Sequence, residues 1–210
     1  MVGNLSTQKQ IGLVDYGSGN LRSVSKALEA SGAQVSLVVS PEQTHAVDAL
    51  VVPGVGSFGD CAKNLAASGL WDPIREWLLA GKPYLGICLG YQLLFDESEE
   101  TPGQKGLGIF PGKVVRFQSA TLKVPHMGWN TLSATRGPLF EGLPADERFY
   151  FVHSYYPEPA DPSLPSAMAD YGQGFAAAIS KGAIHATQFH PEKSQSAGLA
   201  VLRNFLRTLA

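Results

Sequence analysis

A cysteine between two glycines is the residue in this chain that is best suited to chemistry. The segment 83–92 begins as an apolar run and then places Cys88 between Gly86 and Gly90 in the pattern Gly-x-Cys-x-Gly. This pattern predicts a nucleophile elbow, in which a buried strand turns sharply into a helix. A side chain at either glycine would collide with neighbouring backbone in so tight a turn. At the start of the helix, free N–H groups and the helix dipole would favour a Cys88 thiolate.

A small buried cysteine beside two packing glycines would give the same pattern, so a catalytic interpretation requires a base elsewhere. Segment 186–193 supplies one, because apolar residues there precede His190, Pro191 and Glu192. Pro191 cannot continue a central ladder, so we expect a strand to end there. In an extended backbone, side chains two residues apart share a face. Glu192 would then hydrogen-bond one imidazole nitrogen of His190 and leave the other for Cys88, which predicts a cysteine–histidine–acid triad.

Neither a metal nor another cofactor is expected. The chain has no pair of histidines at metal-binding spacing and no cysteine cluster. His185 would lie on the opposite side of a continuous strand from His190. The glycine-rich turn at 17–19 lacks the third glycine of a dinucleotide-binding fingerprint, and Arg22 stands in its place.

Composition limits the class of protein. The 210 residues suffice for one domain with a proper core, and the net charge of -2 without a basic run gives no footprint for nucleic acid. The two cysteines, Cys61 and Cys88, fit free thiols in a reducing compartment. The polar N-terminus lacks the apolar core of a signal peptide, and no apolar run approaches the roughly 20 residues of a membrane span. We therefore expect a soluble cytoplasmic protein with neither nucleic acid nor membrane as partner.

The elements that must position the triad follow from apolar periodicity. After a flexible extension over residues 1–10, the domain 11–210 begins with alternating strands and helices, which predicts an α/β fold with a mostly parallel central sheet and flanking helices. Shorter strands later in the chain predict an antiparallel or mixed C-terminal extension of this sheet. The expected strands are 11–15, 34–39, 49–52, 83–88, 112–117, 148–156, 174–180 and 183–189. The expected helices are 21–31, 60–67, one capped by Asp72, 89–95 and 195–209.

Together, these motifs resemble those of the class I (triad) glutamine amidotransferases, whose domains hydrolyse glutamine and pass on ammonia. The resemblance covers nearly the whole chain. Two segments, Asp-Tyr-Gly-Ser-Gly-Asn at 15–20 and Lys-Val-Pro-His-Met-Gly-Trp-Asn at 123–130, are similar to those of the glutaminase subunits of imidazole glycerol phosphate synthases, which act in histidine biosynthesis. Tyr91 departs from the pattern, since methionine is usual there, and it could alter the glutamine pocket or the packing behind it.

The resemblance implies roles for the triad and the loops beside it. Cys88 would attack the glutamine carboxamide, and His190 would move the protons. The N–H of Leu89 would be one oxyanion donor, and the loop 54–56 would supply the second, through Val55 or Gly56. The positions that match glutamine-binding positions of the family are Gly54, Gly56, Gln92, Ser154 and Tyr155.

A partner is also implied, namely a cyclase subunit with a (β/α)₈ barrel that receives ammonia through a protected channel. The positions that match the partner side of the family are Asn20, His126, Trp129, Asn130 and Lys193. We expect Trp129 to be exposed on a loop between strands, as a binding hot spot, rather than packed in the core. Glycines on both sides of Val55 would let its peptide rotate at little cost. Since the family needs its loaded partner for full activity, we expect the isolated chain to be a poor glutaminase.

Three alternatives remain at this point. The amidotransferase could serve another synthesis, such as that of purines, pyridoxal phosphate or anthranilate, although segment 123–130 argues against it. Cysteine-elbow stress proteins share the elbow but lack a late His-Pro-Glu. A non-catalytic subunit that only activates its partner would not need Cys88, His190 and Glu192 intact.

Overall fold

Buried apolar runs build the central sheet. The computed structural model describes residues 8–119 and 121–209. Residues 1–7 of the expected N-terminal extension lie outside the described residues, and Gln10 already belongs to the first strand. The strands are β1 (Gln10–Val14), β2 (Gln34–Val38), β3 (Ala49–Gly54), β4 (Tyr84–Cys88), β5 (Glu97–Ser98), β6 (Gly112–Arg116), β7 (His126–Thr131), β8 (Arg148–His153), β9 (Tyr155–Pro159), β10 (Pro165–Asp170), β11 (Gly174–Lys181) and β12 (Ile184–Thr187). The helices are α1 (Leu21–Ala30), α2 (Phe58–Ala67), α3 (Trp71–Leu79), α4 (Leu89–Gln92) and α5 (Gln195–Arg207).

The sheet topology confirms the predicted fold class. Seven strands pair in the order β10-β11-β12-β4-β3-β1-β2. The five from β12 to β2 are parallel, whereas β11 and β10 extend the sheet in antiparallel fashion. The chain steps from β1 to β2 in one direction and from β3 to β4 in the other, so right-handed crossovers place α1 and the α2–α3 pair on opposite faces. Helix α5 packs on α1.

Two smaller sheets cover the sheet's carboxyl edge. Strands β5, β6 and β9 form one, and the antiparallel pair β7 and β8 forms the other. The expectation of a loop around Trp129 is wrong, because Trp129 lies within β7 and pairs with Tyr150 of β8. The single strand expected over 148–156 is interrupted at Ser154 and continues as β9 in a different sheet.

Two predicted helix boundaries also differ. Helix α3 begins at Trp71, so Asp72 lies inside its first turn and does not cap it. Helix α4 ends at Gln92 rather than at 95. The N–H groups of Leu94 and Phe95 bond to carbonyls three residues back, at 3.2 and 3.1 Å, so the chain tightens out of the α-helix after Gln92. The carbonyls of Leu93 and Leu94, which a helix end leaves unpaired, accept hydrogen bonds from Leu107 and Ile109. Among the helices that the structure describes, none is long and apolar enough to cross a membrane.

Candidate active site

Cys88 lies at the junction of β4 and α4 in a conformation that L-residues rarely adopt, with φ 54° and ψ -103°. Its side chain is at the carboxyl edge of the sheet, and only 3% of the residue is exposed. The predicted steric need for glycine is confirmed. A Cβ at Gly86 would lie 2.6 Å from the Gly90 carbonyl oxygen, and a Cβ at Gly90 would lie 1.8 Å from the Val52 carbonyl oxygen. The strained backbone thus persists because close packing fixes the turn around it.

The helix that follows Cys88 has only four residues. Its dipole is correspondingly small, so it adds less to thiolate stabilisation than a helix of the predicted length would. The charge and hydrogen-bonding groups around the sulfur therefore carry more of this task.

His190 and Glu192 are in direct contact. Nδ1 of His190 lies 2.9 Å from Oε1 of Glu192, and their side chains are 2% and 1% exposed. The expected extended backbone is wrong, because β12 ends at Thr187 and residues Pro191–Lys193 form a 3-10 turn. The turn brings the carboxylate back towards the imidazole over the same two-residue separation.

Backbone contacts on both sides fix His190. Its N–H donates to the Tyr150 carbonyl at 2.9 Å, and its carbonyl accepts from Ser194 Oγ at 2.7 Å. Ser194 Oγ in turn accepts from the Tyr150 N–H at 2.9 Å. Ser194 is buried, and its sequence context did not indicate this function, because an isolated serine after His-Pro-Glu-Lys fits a surface turn equally well.

His190 is held in its charged form. Burial alone would lower the pKa of His190, but the neighbouring Cys88 sulfur and the Glu192 carboxylate overcome this and raise the pKa to about 10. Nε2 of His190 is buried and has no hydrogen-bond partner among the described residues. This nitrogen remains free to exchange a proton with a reacting group in the cavity that His190 and Cys88 both line.

A cavity of about 270 Å³ lies over Cys88, and we call it the Cys88 cavity. It is lined by Val55, Gly56, Cys88, Leu89, Gln92, Glu100, Pro125, Val152, His153, Ser154, Tyr155 and His190. These include every predicted catalytic, oxyanion and glutamine-binding residue except two. Glu192 lies behind His190, and Gly54 pairs with Cys88 in the sheet, where a Cβ would lie 2.6 Å from Leu89 Cβ. Gly54 thus allows β3 and the elbow to approach closely and does not line the cavity.

The loop after β3 has two unpaired backbone N–H groups, at residues that line the cavity. Within the described part of the chain, no carbonyl or side chain accepts a hydrogen bond from the N–H of Val55 or Gly56. The Val55 carbonyl, in contrast, accepts hydrogen bonds from two side chains, Ser18 Oγ at 2.7 Å and Cys61 Sγ at 3.6 Å. Burial raises the pKa of Cys61, so its thiol keeps its proton and can donate it. Nothing in the sequence distinguished Cys61 from a thiol that only packs in the core.

Tyr91 does not reach the Cys88 cavity. Its side chain is fully buried beneath the elbow, with an edge-on contact to Phe95 at 5.6 Å and a hydroxyl 3.5 Å from the Ala176 carbonyl. Its departure from the usual methionine therefore affects the packing behind the pocket and leaves the lining unchanged.

Two of the five predicted partner-side residues, Trp129 and Lys193, lie against the same tyrosine ring, whereas Asn130 points from the other face of β7 with its amide 3.4 Å from Nε2 of His126. Trp129 is 43% exposed, and its ring meets the Tyr150 ring edge-on at 5.9 Å. The exposed Lys193 places its Nζ 5.8 Å from the centre of the same tyrosine ring. Asn130 is half-buried, and its amide donates to the Asp170 carbonyl at 2.8 Å.

The structure does not bring the other two to that surface. Asn20 is half-buried at the N-terminus of α1, next to the loop that carries Ser18. His126 is almost fully buried between Phe151 and Tyr171, and its Nδ1 lies 3.1 Å from Nε2 of His153. Burial lowers the pKa of His126 to about 4 and that of His153 to about 3, so both rings are neutral.

Sequence reasoning missed Gln188, Glu100 and His153 at the site. Gln188 had a usable signal, since it precedes His190 by two residues and shares its face in an extended chain. Its Nε2 lies 3.6 Å from Cys88 Sγ. Glu100 accepts from the Phe58 N–H at 2.6 Å, and it lies in a turn-rich segment with no pattern that marks it.

Comparisons with known proteins point to one family. The family pattern described as glutamine amidotransferase class-I matches residues 12–209. "Imidazole glycerol phosphate synthase subunit HisH" of Syntrophotalea carbinolica is 51% identical over 200 residues, which cover 92% of this chain and 97% of that protein. The protein of the same name from Methanothermobacter thermautotrophicus is 50% identical, over 95% of this chain and 98% of its own.

Solved structures share the fold at lower identity. A structure described as a glutamine amidotransferase superposes with a TM-score of 0.74 at 24% identity, covering 95% of this chain and 98% of its own. PurLQS from Thermotoga maritima gives a TM-score of 0.74 at 20% identity, covering 97% and 100%. At these identities the likeness concerns the arrangement of the chain alone.

Proposed function

Because this chain belongs to the class I glutamine amidotransferases, we propose that it hydrolyses glutamine through a thioester on Cys88 and delivers the ammonia to a synthase partner. One observation carries the proposal: Nδ1 of His190 is held by Glu192 at 2.9 Å, while its Nε2 is unpaired at the cavity that contains Cys88. A nucleophile, a base and an acid that orients the base thus meet at one site.

The first half of the reaction forms the thioester. A protonated His190 stabilises the Cys88 thiolate by its charge. The thiolate attacks the side-chain carboxamide carbon of glutamine, and the carbonyl oxygen becomes an oxyanion. His190 then gives its Nε2 proton to the departing nitrogen, so that ammonia leaves and a glutamyl thioester remains on Cys88.

The second half returns the enzyme to its starting state. Neutral His190 accepts a proton from water, and the resulting hydroxide equivalent attacks the thioester. Glutamate leaves, the thiolate re-forms and His190 is protonated again. The pKa of about 10 for His190 favours the ion pair at the start and end of this cycle, at any pH near neutrality.

Backbone N–H groups would stabilise the oxyanion. Leu89 is the first residue of α4, so its N–H has no partner within the helix. The N–H groups of Val55 and Gly56 supply candidates on the other side of the same cavity. Removing one such donor typically costs about 10²–10³ in rate.

Gln92 would bind the substrate through its carbonyl oxygen. Both hydrogens of its Nε2 are used, because that nitrogen donates to the Tyr155 carbonyl at 3.0 Å and to Gln188 Oε1 at 3.2 Å. Oε1 of Gln92 is the polar atom left for the cavity, and it can only accept. It therefore suits an N–H donor of glutamine, either the carboxamide or the α-ammonium group.

We assign the ammonia to imidazole glycerol phosphate synthesis, in the cytoplasm, with a (β/α)₈-barrel cyclase as the partner. The assignment rests on relatives of about 50% identity over nearly their full length, which are named as subunits of that synthase. Free ammonia would be protonated in water near neutral pH, so a protected path to the partner is needed. The surface formed by Trp129, Tyr150 and Lys193 is the region we propose for docking, since it adjoins the His190 backbone.

Hydroxylamine trapping tests the thioester. Hydroxylamine attacks a thioester faster than water does, so turnover of glutamine in its presence should yield glutamyl hydroxamate. Wild type with the cyclase should form the hydroxamate, and Cys88→Ala with the cyclase should form none. Glutamate release without hydroxamate, at a hydroxylamine concentration that traps a model thioester, would contradict covalent catalysis.

Co-purification tests the partner. The chain should form a stable one-to-one complex with the barrel cyclase of its own pathway. Binding instead to a synthase of purines, pyridoxal phosphate or anthranilate would keep the glutaminase chemistry and overturn the assigned pathway.

A further inference from the structure

A row of three hydrogen bonds runs from Tyr155 through Gln92 and Gln188 to Cys88, and the two that involve Gln188 are buried. The Tyr155 carbonyl accepts from Gln92 Nε2 at 3.0 Å, and Gln188 Oε1 accepts from the same nitrogen at 3.2 Å. Gln188 Nε2 then donates to Cys88 Sγ at 3.6 Å, within the range of a hydrogen bond to sulfur. No role in catalysis has been assigned to Gln188 above.

The chain of bonds fixes which end of the Gln188 amide faces the sulfur. A backbone carbonyl can only accept, so the Gln92 atom at Tyr155 must be the nitrogen. That nitrogen can only donate, so the Gln188 atom facing it must be the oxygen. The remaining atom of the Gln188 amide, the one next to Cys88, is therefore the N–H₂ group. Turning either amide over would place two acceptors or two donors against each other.

Burial holds the amide in this orientation. Gln188 is fully buried, and Gln92 is 2% exposed, so water does not replace these partners. The Gln188 N–H donates to the Ala177 carbonyl at 2.8 Å, which ties its backbone to β11. Phe189, its neighbour, packs in the core on the opposite side. An amide donor fixed in this way needs no reorganisation when charge develops on the sulfur.

We propose that Gln188 is a further catalytic residue, which donates a hydrogen bond to the Cys88 thiolate and so sets its charge and direction. The inference deepens the proposed function, on which it rests, by adding a second donor to the sulfur. The imidazolium of His190 supplies charge from one direction, and the neutral amide of Gln188 supplies a donor that does not titrate. Both donors therefore face the sulfur whenever it carries charge, before it attacks glutamine and again when the thioester breaks.

The size of the effect follows from the strength of such bonds. A hydrogen bond donated to an anion lowers the pH at which that charge forms by about one unit. Stabilising the thiolate also lowers its intrinsic reactivity by a little under half of that effect. Loss of the Gln188 donor should therefore raise the pH at which the thiolate forms, and the fully formed thiolate should react about threefold faster than in wild type.

Alkylation of Cys88 measures this without glutamine or cyclase. The chain has two cysteines, so Cys61→Ser leaves one thiol, and the pH dependence of its reaction with iodoacetamide reports the thiolate. Gln188→Met keeps the unbranched shape and removes the amide. Its alkylation midpoint should rise by about one pH unit. Gln188→Glu keeps the shape and places a carboxyl group against the sulfur, so its midpoint should rise further.

A matched control separates this from a general loss of packing. Gln173→Met removes a different amide, which is half-buried, donates to the Tyr156 hydroxyl and does not line the Cys88 cavity. This variant should leave the midpoint unchanged. An unchanged midpoint in a folded Gln188→Met or Gln188→Glu would overturn the inference. If the midpoint shifts but the chain never hydrolyses glutamine, the inference about Gln188 stands and the proposed function is overturned.

Discussion

The carboxylate of Glu192 reaches Nδ1 of His190 at 2.9 Å across a single 3-10 turn, with both side chains almost completely buried. The turn matters because it lies beyond the last strand, where the His190 backbone is held by Tyr150 and Ser194 instead of by the sheet. The base is thus positioned by β8 and by the start of α5. A displacement of Tyr150, which is part of the proposed docking surface, would act directly on His190 through this backbone contact.

The charged state of His190 predicts a pH-dependent stability. Its pKa in the folded chain, about 10, lies above the ordinary value of about 6.5. A group whose pKa is raised on folding contributes stability that is full below about pH 6.5, declines as pH rises and is lost above about pH 10. Urea unfolding of wild type and His190→Gln across this range should show a difference in unfolding free energy that narrows as pH rises.

Glu192→Gln serves as the control for that series. It removes one of the two groups that raise the pKa of His190 and leaves the other, Cys88. Its pH dependence should therefore lie between those of wild type and His190→Gln. A difference that stays constant from about pH 6.5 to 10 would show that His190 is not charged in the folded chain.

Substitution at the elbow should be costly for reasons of packing. Gly90→Ala would bring a Cβ to within 1.8 Å of the Val52 carbonyl oxygen, which neither β3 nor α4 can avoid without moving. We expect a loss of about 3 kcal/mol or more in unfolding free energy. In Gly81→Ala the new Cβ has no atom within 4 Å, and only the positive φ of 67° is unfavourable, so the unfolding free energy should fall by about 1 kcal/mol. Equal losses in urea unfolding would argue against the tight elbow.

The hydrogen bond from Ser18 to the Val55 carbonyl predicts a role for Ser18 in turnover. A trans peptide points its C=O and N–H in opposite directions, so fixing the Val55 carbonyl also fixes the Gly56 N–H. Ser18→Ala removes the 2.7 Å bond and should lower kcat about threefold to tenfold with KM unchanged. Ser25→Ala, which removes a hydroxyl bonded to Glu29 on α1, should have no effect. A change confined to KM would mean that Ser18 acts on substrate binding.

The exposed Trp129 predicts a hot spot for the cyclase. Trp129→Ala should leave a folded chain, because the indole covers only part of the Tyr150 ring, and should weaken cyclase binding by about thirtyfold or more. Leu79→Ala provides the control, since Leu79 is 61% exposed on α3, a helix that carries none of the residues of this surface. An unfolded Trp129→Ala chain, or one that binds the cyclase normally, would remove Trp129 from the docking surface.

Much of the fold and the existence of the site follow from local sequence. Short apolar runs predict β1, β3 and β4 because strands buried on both faces have no polar alternation. Steric limits at Gly86 and Gly90 predict the elbow, and the structure bears them out at the level of single atoms. The contact between His190 and Glu192 was predicted, although through an extended backbone that the chain does not adopt.

The remainder depends on contacts between distant segments. Strand β7 was missed because its partner, β8, lies more than fifteen residues further on, and a Gly-Trp-Asn sequence has no strand periodicity. After helix α4 the backbone tightens into turns with hydrogen bonds three residues back, and the N–H groups of segment 107–110 bond to the carbonyls of Leu93 and Leu94 that follow it. The Gln188 amide faces Cys88 only because Gln92 and Tyr155 orient it. Tertiary partners of this kind leave no local signature.

Glutamate release from glutamine tests the central claim most directly. It should be measured for the chain alone, with the cyclase, and with the cyclase loaded with its substrate or product, alongside Cys88→Ala in each mixture. We expect slow release by the chain alone, fast release with the loaded cyclase, and none from Cys88→Ala. No release from any mixture, despite a stable complex, would contradict it and leave a non-catalytic binding subunit.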